Sequence, residues 1–331
     1  MKKLNSLACG KTQVILGLLL GAAFLFSAPV QSASCCGGGG AATLVLPKFF
    51  DSMYDVSVGY EQYHGFWNKD GEHLDDPPGS DLNQFRITPG FAKRINDNWQ
   101  ASIVMPYVWN DNKYAGLESK TNGLGDATVG FWYENFDDIK CVYAVNSIED
   151  LTPAAYFGAS LTIPTGISPY DNVQNSFDIT GRGFYRLDAN MLIDKTVFPW
   201  GLTLNLSYGT YLERDVNREY GNYVEPYKRK LGNRFSGSLG FSYSKTLEEL
   251  DTLTYTVTYA ALKEDEATIN GAVDPTSGFD TQSVSLAVAY STMAKDWIVR
   301  ASFNHLPSSD GLGSNFPVTD TITIGVSYVI P

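Results

Sequence analysis

Apolar and polar residues alternate along this chain from Tyr54 to the C-terminus. Between Tyr54 and Glu61, one set of alternate positions holds Tyr, Val, Val and Tyr, and the other holds Asp, Ser, Gly and Glu. Successive side chains of a β-strand point to opposite faces, so each such segment makes a strand with one apolar and one polar face. The pattern predicts an all-β protein and excludes a coiled coil.

Twelve alternating segments can be counted, each about 9–12 residues long, which is the length that a tilted strand needs to cross a bilayer. The segments are 54–63, 83–94, 99–109, 126–134, 154–164, 184–194, 202–213, 233–243, 252–262, 280–291, 297–305 and 319–329.

The connections between these segments alternate between long and short. Long ones such as 64–82 and 110–125 are followed by short ones such as 95–98, and the exception is the long connection 135–153. Outer-membrane barrels have long external loops and short periplasmic turns. We therefore predict a single transmembrane antiparallel β-barrel of about 12 strands over residues 54–331.

Three of the six tryptophans, Trp99, Trp200 and Trp297, each follow a short connection. This position is typical of the aromatic girdle at the periplasmic boundary of a barrel. The alternative is a secreted, soluble β-sandwich, but a sandwich has no reason to sort its connections by length. Strands in lipid, in contrast, must close into a barrel because no water pairs with their edges.

The N-terminal residues are expected to serve targeting rather than the fold. Three lysines, an apolar run of 13 residues and a small-residue exit predict a secretory signal peptide over residues 1–34. No later stretch reaches 18 consecutive apolar residues, so a membrane crossing would need strands. Residues 35–53 form a Cys- and Gly-rich tether, and its apolar run 41–50 is expected to plug the lumen or line its opening.

The cysteines Cys35, Cys36 and Cys141 remain after removal of the leader. Ser32–Cys35 resembles a bacterial lipobox, which makes Cys35 a candidate for lipidation. The periplasm is oxidising, and we predict a Cys36–Cys141 disulfide there; a Cys35–Cys36 bond or a free thiol stays open as the alternative. The cysteine spacing fits neither haem attachment nor a zinc site, so no cofactor and no metal are expected.

The charge of the exported chain limits its partners. The leader takes three lysines and no acidic residue, which leaves 21 basic against 36 acidic residues. Binding to nucleic acid needs Lys and Arg opposite phosphates, so nucleic acid is not expected as a partner. The expected partners are the lipid bilayer of the outer membrane and a small-molecule solute.

The polar positions of the strands are the candidates for the lumen face, and both charge signs occur among them. A channel selective for one sign would carry rings of like charge, so these residues are expected to form ion pairs that brace a narrow interior, either with or without solute contact. The lumen-facing candidates are Asp55, Glu61, Arg86, Arg186, Asp188, Asn190, Asn205, Glu213, Arg300 and Asn304.

Three short motifs at strand ends resemble one known family. They are Met105–Tyr107, Gly123–Asp126 and Leu161–Gly166, and they are similar to segments of the outer-membrane family named for the MetA pathway of phenol degradation. The resemblance covers roughly residues 54–331. It implies an outer-membrane β-barrel, inserted by the barrel-assembly machinery, that transports small hydrophobic or aromatic compounds by passive diffusion.

Two other functions remain open at this point. One is a non-transporting surface protein, an adhesin or a receptor, that uses the long external loops. The other is a lipid hydrolase, for which His305 with the nearby Ser308, Ser309 and Asp310 is the candidate cluster. The chain holds no helical metalloprotease motif, no nucleophile elbow and no phosphate loop, so no catalytic residue is assigned and an enzyme is not expected.

Overall fold

Twelve antiparallel strands form a closed β-barrel, so the predicted fold class is confirmed. The computed structural model describes residues 44–47, 50–134, 142–294 and 296–331. Strands are numbered in chain order. The wall consists of β1 (Ser52–Trp67), β3 (Asp81–Arg94), β4 (Trp99–Val104) continued by β5 (Tyr107–Tyr114), β6 (Leu117–Leu124) continued by β7 (Ala127–Glu134), β8 (Ala154–Ile163), β9 (Arg186–Val197), β10 (Trp200–Tyr211), β13 (Arg234–Thr246), β14 (Thr252–Glu264), β17 (Phe279–Ser291), β18 (Trp297–His305) and β20 (Phe316–Ile330).

The barrel closes where the first strand meets the last. On one side β1 pairs with β20, with Tyr54 opposite Tyr328, and on the other it pairs with β3, with Tyr54 opposite Phe91. Closure leaves no unpaired edge in the wall, which a bilayer without water would penalise.

Alternation along each strand separates an outward apolar face from an inward polar face. On β17, Leu286 is 54% exposed and faces outward, whereas its neighbour Ser285 is 5% exposed and faces the interior. The three tryptophans after short turns are all exposed, and each contacts an aromatic ring of a neighbouring strand: Trp99 with Tyr133, Trp200 with Phe241 and Tyr243, and Trp297 with Tyr328. These rings form the periplasmic girdle.

Two wall strands are interrupted, and one of them, the third, was predicted as continuous over residues 99–109. The third wall strand is interrupted at Met105 and Pro106, and the fourth at Gly125 and Asp126. A proline cannot donate a ladder hydrogen bond, and the two breaks lie side by side, since the Gly125 amide donates to the Pro106 carbonyl at 2.8 Å.

Several regions expected to be external loops contain strands. The connection 110–125 includes β6, which pairs with β5 as a hairpin. Above the wall lie a sheet of β11 (Arg214–Glu219), β12 (Asn222–Lys230), β15 (Ala267–Ile269) and β16 (Ala272–Asp274), and the short strands β2 (His73–Leu74) and β19 (Gly313–Ser314). These strands are short and their sequences do not alternate regularly between apolar and polar residues, so alternation did not reveal them.

The long connection 135–153 is described only from Val142 onward. Val142 forms a bridge with Val197, and a short 3-10 helix covers Ile148–Leu151. A second 3-10 helix, in another loop of the described chain, covers Ser176–Asp178. Among the residues that the structure describes, no helix has the length and hydropathy needed to span a membrane. The predicted signal peptide at 1–34 lies outside the described residues, as do Cys35, Cys36 and Cys141.

Candidate functional site: the barrel lumen

An apolar N-terminal segment lies inside the periplasmic end of the barrel. Leu46 is fully buried and packs with Met53, Ala92 and Val329, which are inward positions of β1, β3 and β20. We call residues 44–47 and 50 the lumen segment. It belongs to the apolar run that the sequence marked as a candidate plug.

Wall side chains hold the backbone of the lumen segment. The Leu46 amide donates to Oε1 of Gln100 at 2.5 Å, and Nε2 of Gln100 donates to the Leu46 carbonyl at 3.3 Å. Arg94 donates to the carbonyls of Phe50 and Pro47, at 3.0 and 3.1 Å, and its Nη1 lies 3.2 Å from the Glu134 carboxylate. The wall side chains therefore satisfy the buried backbone polar groups of the lumen segment.

A glycine makes room for this arrangement. A Cβ atom on Gly90 would lie 2.6 Å from Cδ1 of Leu44. A larger residue at this inward position of β3 would force the end of the Leu44 side chain to shift, so the glycine leaves room for the lumen segment against the wall.

The next level of the lumen contains a bidentate ion pair. Arg300 of β18 donates from both terminal nitrogens to Asp55 of β1, at 2.7 and 2.8 Å, and also to the Ser327 hydroxyl. A fork of this kind is the strong geometry for an arginine and a carboxylate. A second pair, Glu61 with Arg86 at 3.4 Å, lies further toward the external end.

The external loop 164–185 folds inward. Nδ2 of Asn110 donates to the Ile179 carbonyl at 3.1 Å, Nδ2 of Asn112 donates to the Phe177 carbonyl at 2.8 Å, and both amides are inward residues of β5. Ile179 and Phe184 are buried. The loop thus occupies part of the lumen at the external side.

The three motif segments that carried the family resemblance meet at the base of this loop. Asp126 is buried, and its carboxylate accepts hydrogen bonds from the amides of Gly166 at 3.1 Å and Arg182 at 2.7 Å. The Thr165 hydroxyl donates to the Gly125 carbonyl at 2.6 Å. The motifs act together as the anchor of the infolded loop.

A cluster of arginines and carboxylates lies at the external end of the lumen. Arg182 of the loop forms a bidentate pair with Glu264 of β14, with Nη2 at 2.7 Å from Oε1. Arg186 lies 2.7 Å from Asp188, its neighbour on β9. The Tyr211 hydroxyl joins the pairs: it donates to Glu264 at 3.0 Å and accepts from Arg182 at 2.7 Å.

Most of the predicted lumen candidates lie on the inward face. Asp55, Glu61, Arg86, Arg186, Asp188 and Arg300 form the ion pairs described above. Among the uncharged candidates, Asn190 donates to the Ser160 hydroxyl at 3.0 Å, Asn205 is half-buried on β10, and Asn304 is fully buried on β18.

The prediction for Glu213 is wrong. Strand β10 ends at Tyr211, and Glu213 lies beyond it, where its carboxylate pairs with Nζ of exposed Lys228 at 3.0 Å. The alternation was extended two residues past the end of the strand, into the link that leads to β11 of the external sheet.

The sequence analysis also missed residues that the lumen uses. Gln100, Arg94 and Arg234 have the inward parity of their strands and could have been found by that signal. Glu264 lies two residues beyond the predicted segment 252–262, yet it is the last residue of β14 and is buried. Strand alternation could not identify Arg182, since it lies in an irregular loop.

The candidate hydrolase cluster is not assembled. Nδ1 of His305 lies 2.6 Å from Oδ1 of Asp320, and Nε2 of His64 lies 3.2 Å from the other oxygen of the same carboxylate. Asp310 instead accepts from the His73 amide at 2.8 Å. Within the described ranges, no group of three or more His, Cys, Asp or Glu side chains is arranged to hold a metal ion.

Comparisons with known proteins reveal similarity in structure but not in sequence. No protein-family model matches the chain, and no curated protein matches it. The COG4313 outer membrane channel from Pseudomonas putida F1 is 13% identical, with a TM-score of 0.65, and the match covers 86% of this chain and 97% of that chain. At this identity the likeness establishes the fold only.

Other barrels match less well. The β-domain of the Bordetella autotransporter BrkA is 10% identical with a TM-score of 0.47, over 85% of this chain and 100% of that chain. A mutant of the TodX monoaromatic hydrocarbon channel is 11% identical with a TM-score of 0.39, over 86% and 91%. A closed barrel with an apolar outer face and an aromatic girdle is the architecture of outer-membrane proteins, and this protein is located in the bacterial outer membrane.

Proposed function

We propose that this protein is a passive channel for small solutes, with hydrophobic or aromatic compounds as the preferred class. The observation that carries the proposal is that the lumen is filled by two inserted pieces of chain, the lumen segment and the loop 164–185, and not by wall side chains alone. Inserts can move while the wall stays paired. A scaffold for an adhesin would need no such inserts.

The solute class rests on the resemblance to the MetA-pathway family and on apolar surface within the barrel. Leu46, Met53 and Val329 line the periplasmic end, and Phe184 and Tyr211 pack together at the external end. Charged groups between these ends form ion pairs with one another, as in the Asp55–Arg300 fork and the Glu61–Arg86 pair. An apolar solute passing such a lumen would leave these pairs intact.

In this proposal the lumen segment acts as the gate. It is held by Gln100 and Arg94 through hydrogen bonds to its backbone and by contacts with a few apolar side chains. Its release would open the periplasmic end without unpairing any strand. Solute then diffuses down its gradient, with no energy source required.

Single-channel recording in planar bilayers tests the proposal. We expect the full chain to conduct rarely, and a variant lacking residues 37–50 to conduct in longer or larger openings while the barrel remains folded. Absence of conductance in both proteins would refute a channel and favour the surface-protein alternative, in which the exposed external sheet, with Tyr223 at its tip, would be the binding surface.

We also propose that the tether before the lumen segment is fixed on the periplasmic side by a Cys36–Cys141 disulfide, with Cys35 lipidated. The order of strands puts the connection 135–153 and the N-terminus on that side of the membrane. Peptide mapping of the non-reduced protein tests this proposal, because it would reveal the linked pair by mass. Detection of Cys141 as a free thiol would overturn it.

A further inference from the structure

One arginine of the external cluster is left without a partner. Arg234 of β13 is 6% exposed, and its side chain is an inward one. Among the described residues, no oxygen lies within hydrogen-bond or ion-pair distance of its guanidinium, whereas the other buried arginines of the cluster each bond to a carboxylate. An unpaired buried charge is costly unless something compensates it.

The register explains why Arg234 is unpaired. Arg234 of β13 stands opposite Gly209 of β10 on one side and opposite Glu264 of β14 on the other. Asp188 of β9 continues the same row, because it stands opposite Gly209. Both carboxylates of this row are already bound, Glu264 by Arg182 and Asp188 by Arg186. Arg182 and Arg186 therefore bond both carboxylates, and Arg234 is the third guanidinium of the cluster, with no carboxylate of the described residues bonded to it.

Aromatic rings surround the same region. Phe184 contacts Tyr170 and Tyr211 edge to face, with ring centroids 5.5 and 6.3 Å apart, respectively. Arg214 lies 4.7 Å above the Tyr170 ring and donates to the Gly183 carbonyl, and no carboxylate of the described chain pairs with it. The external end thus places a guanidinium without a hydrogen-bond partner in the described chain beside a cluster of aromatic rings.

We propose that the external end of the lumen is a binding site for a small hydrophobic anion, a carboxylate attached to an aromatic or similarly apolar body. The carboxylate would bond to Arg234, and the apolar body would pack against Tyr170, whose half-buried ring contacts the buried Phe184. This inference rests on the proposed channel function and names the solute class more closely: the solute is an acid in its ionised form. A carboxylate there satisfies the guanidinium that the wall leaves unpaired.

The site is tested with benzoate and its neutral counterpart benzamide, which differ in charge but little in size. Binding to the full-length protein in lipid nanodiscs is measured by equilibrium dialysis. Since a hydrogen bond to a charged group contributes more than a neutral one, we expect Arg234→Met to weaken benzoate binding roughly tenfold or more and to leave benzamide binding unchanged.

Two further variants serve as controls. Arg234→Lys keeps the positive charge and should restore part of the benzoate affinity. Arg218→Met removes an arginine of the external sheet that contacts Tyr223, and it should bind benzoate like the wild type. Correct folding of each variant is checked by the shift of the unheated protein on an SDS gel.

The inference would be overturned if wild-type protein bound benzoate no better than benzamide, or if Arg234→Met lowered the affinity for both probes equally. Either result leaves the channel proposal intact, because conductance is measured independently. Absence of conductance, in contrast, would refute the channel and not the binding site.

Discussion

The two ends of the lumen are held by different kinds of interaction. At the periplasmic end, Leu46 packs against Met53, Ala92 and Val329, and backbone hydrogen bonds to Gln100 complete the contact. At the external end, guanidinium groups, carboxylates and a tyrosine hydroxyl form a bonded network around Glu264. The periplasmic end is closed by an apolar segment, whereas the external end contains a network of ion pairs.

This difference indicates which end can open. The apolar contact at the periplasmic end involves one short segment, and its loss exposes carbon surface without stranding a charge. Disruption of the external network leaves a buried ion without its partner, which is far more costly. We therefore assign gating to the periplasmic end and recognition to the external end.

The largest effect is expected from breaking the external network. Glu264→Leu removes the carboxylate that binds Arg182 and Tyr211 and leaves the Arg182 guanidinium without its bidentate partner. We expect a loss of about 3–5 kcal/mol of unfolding free energy, as for other buried pairs that lose one partner. Urea unfolding in vesicles, followed by tryptophan fluorescence, measures it.

A charge-balanced control separates the network from mere loss of packing. The double variant Arg182→Met with Glu264→Leu removes both partners, and we expect it to be more stable than Glu264→Leu alone. Equal stability of the single and the double variant would contradict a network held by charge compensation.

Truncation of the Leu46 side chain at the periplasmic end should have a smaller and more local effect. Leu46→Ala deletes most of a fully buried side chain, which for a core leucine costs about 2–5 kcal/mol. Because Leu46 lies outside the wall ladder, we expect this loss to appear as release of the segment and longer channel openings, with the urea midpoint of the barrel unchanged. A lower midpoint without longer openings would show that Leu46 is part of the barrel core rather than of a gate.

The hydrogen bonds from Gln100 should contribute less to docking of the lumen segment than the Leu46 side chain does. Gln100→Ala removes one donor and one acceptor from the Leu46 backbone, and we expect about 1–3 kcal/mol of lost docking energy, detected as faster amide exchange at Leu46. Ser102→Ala is the matched control, since Ser102 is the next inward residue of β4 and its hydroxyl has no partner among the described groups. Similar exchange in both variants would contradict the role of Gln100.

The smallest effect is expected outside the lumen. The hydrogen bond to Glu213 raises the pKa of the Lys228 ammonium above its ordinary value. Glu213→Gln should return this pKa toward the ordinary range, seen by NMR titration of the lysine, with no measurable change in unfolding or in conductance, because exposed ion pairs contribute little. A change in conductance would place Glu213 near the solute path after all.

The sequence by itself determined the barrel, the inward or outward position of most wall residues and the periplasmic girdle. Alternation is a local property, since a strand in a bilayer must present carbon to lipid at every second residue. For this reason Asp55, Arg86 and Arg300 could be placed on the lumen face from parity alone.

Only the tertiary structure decided which of these groups meet. Arg182 and Glu264 are 82 residues apart, and Asp55 and Arg300 are 245 apart, so no spacing along the chain announces either pair. The infolding of the loop 164–185 also depends on contacts with distant strands, through the Asp126 carboxylate. Arg234 is left unpaired because Arg182 and Arg186 bond the carboxylates beside it, and that competition exists only once the strands are in register.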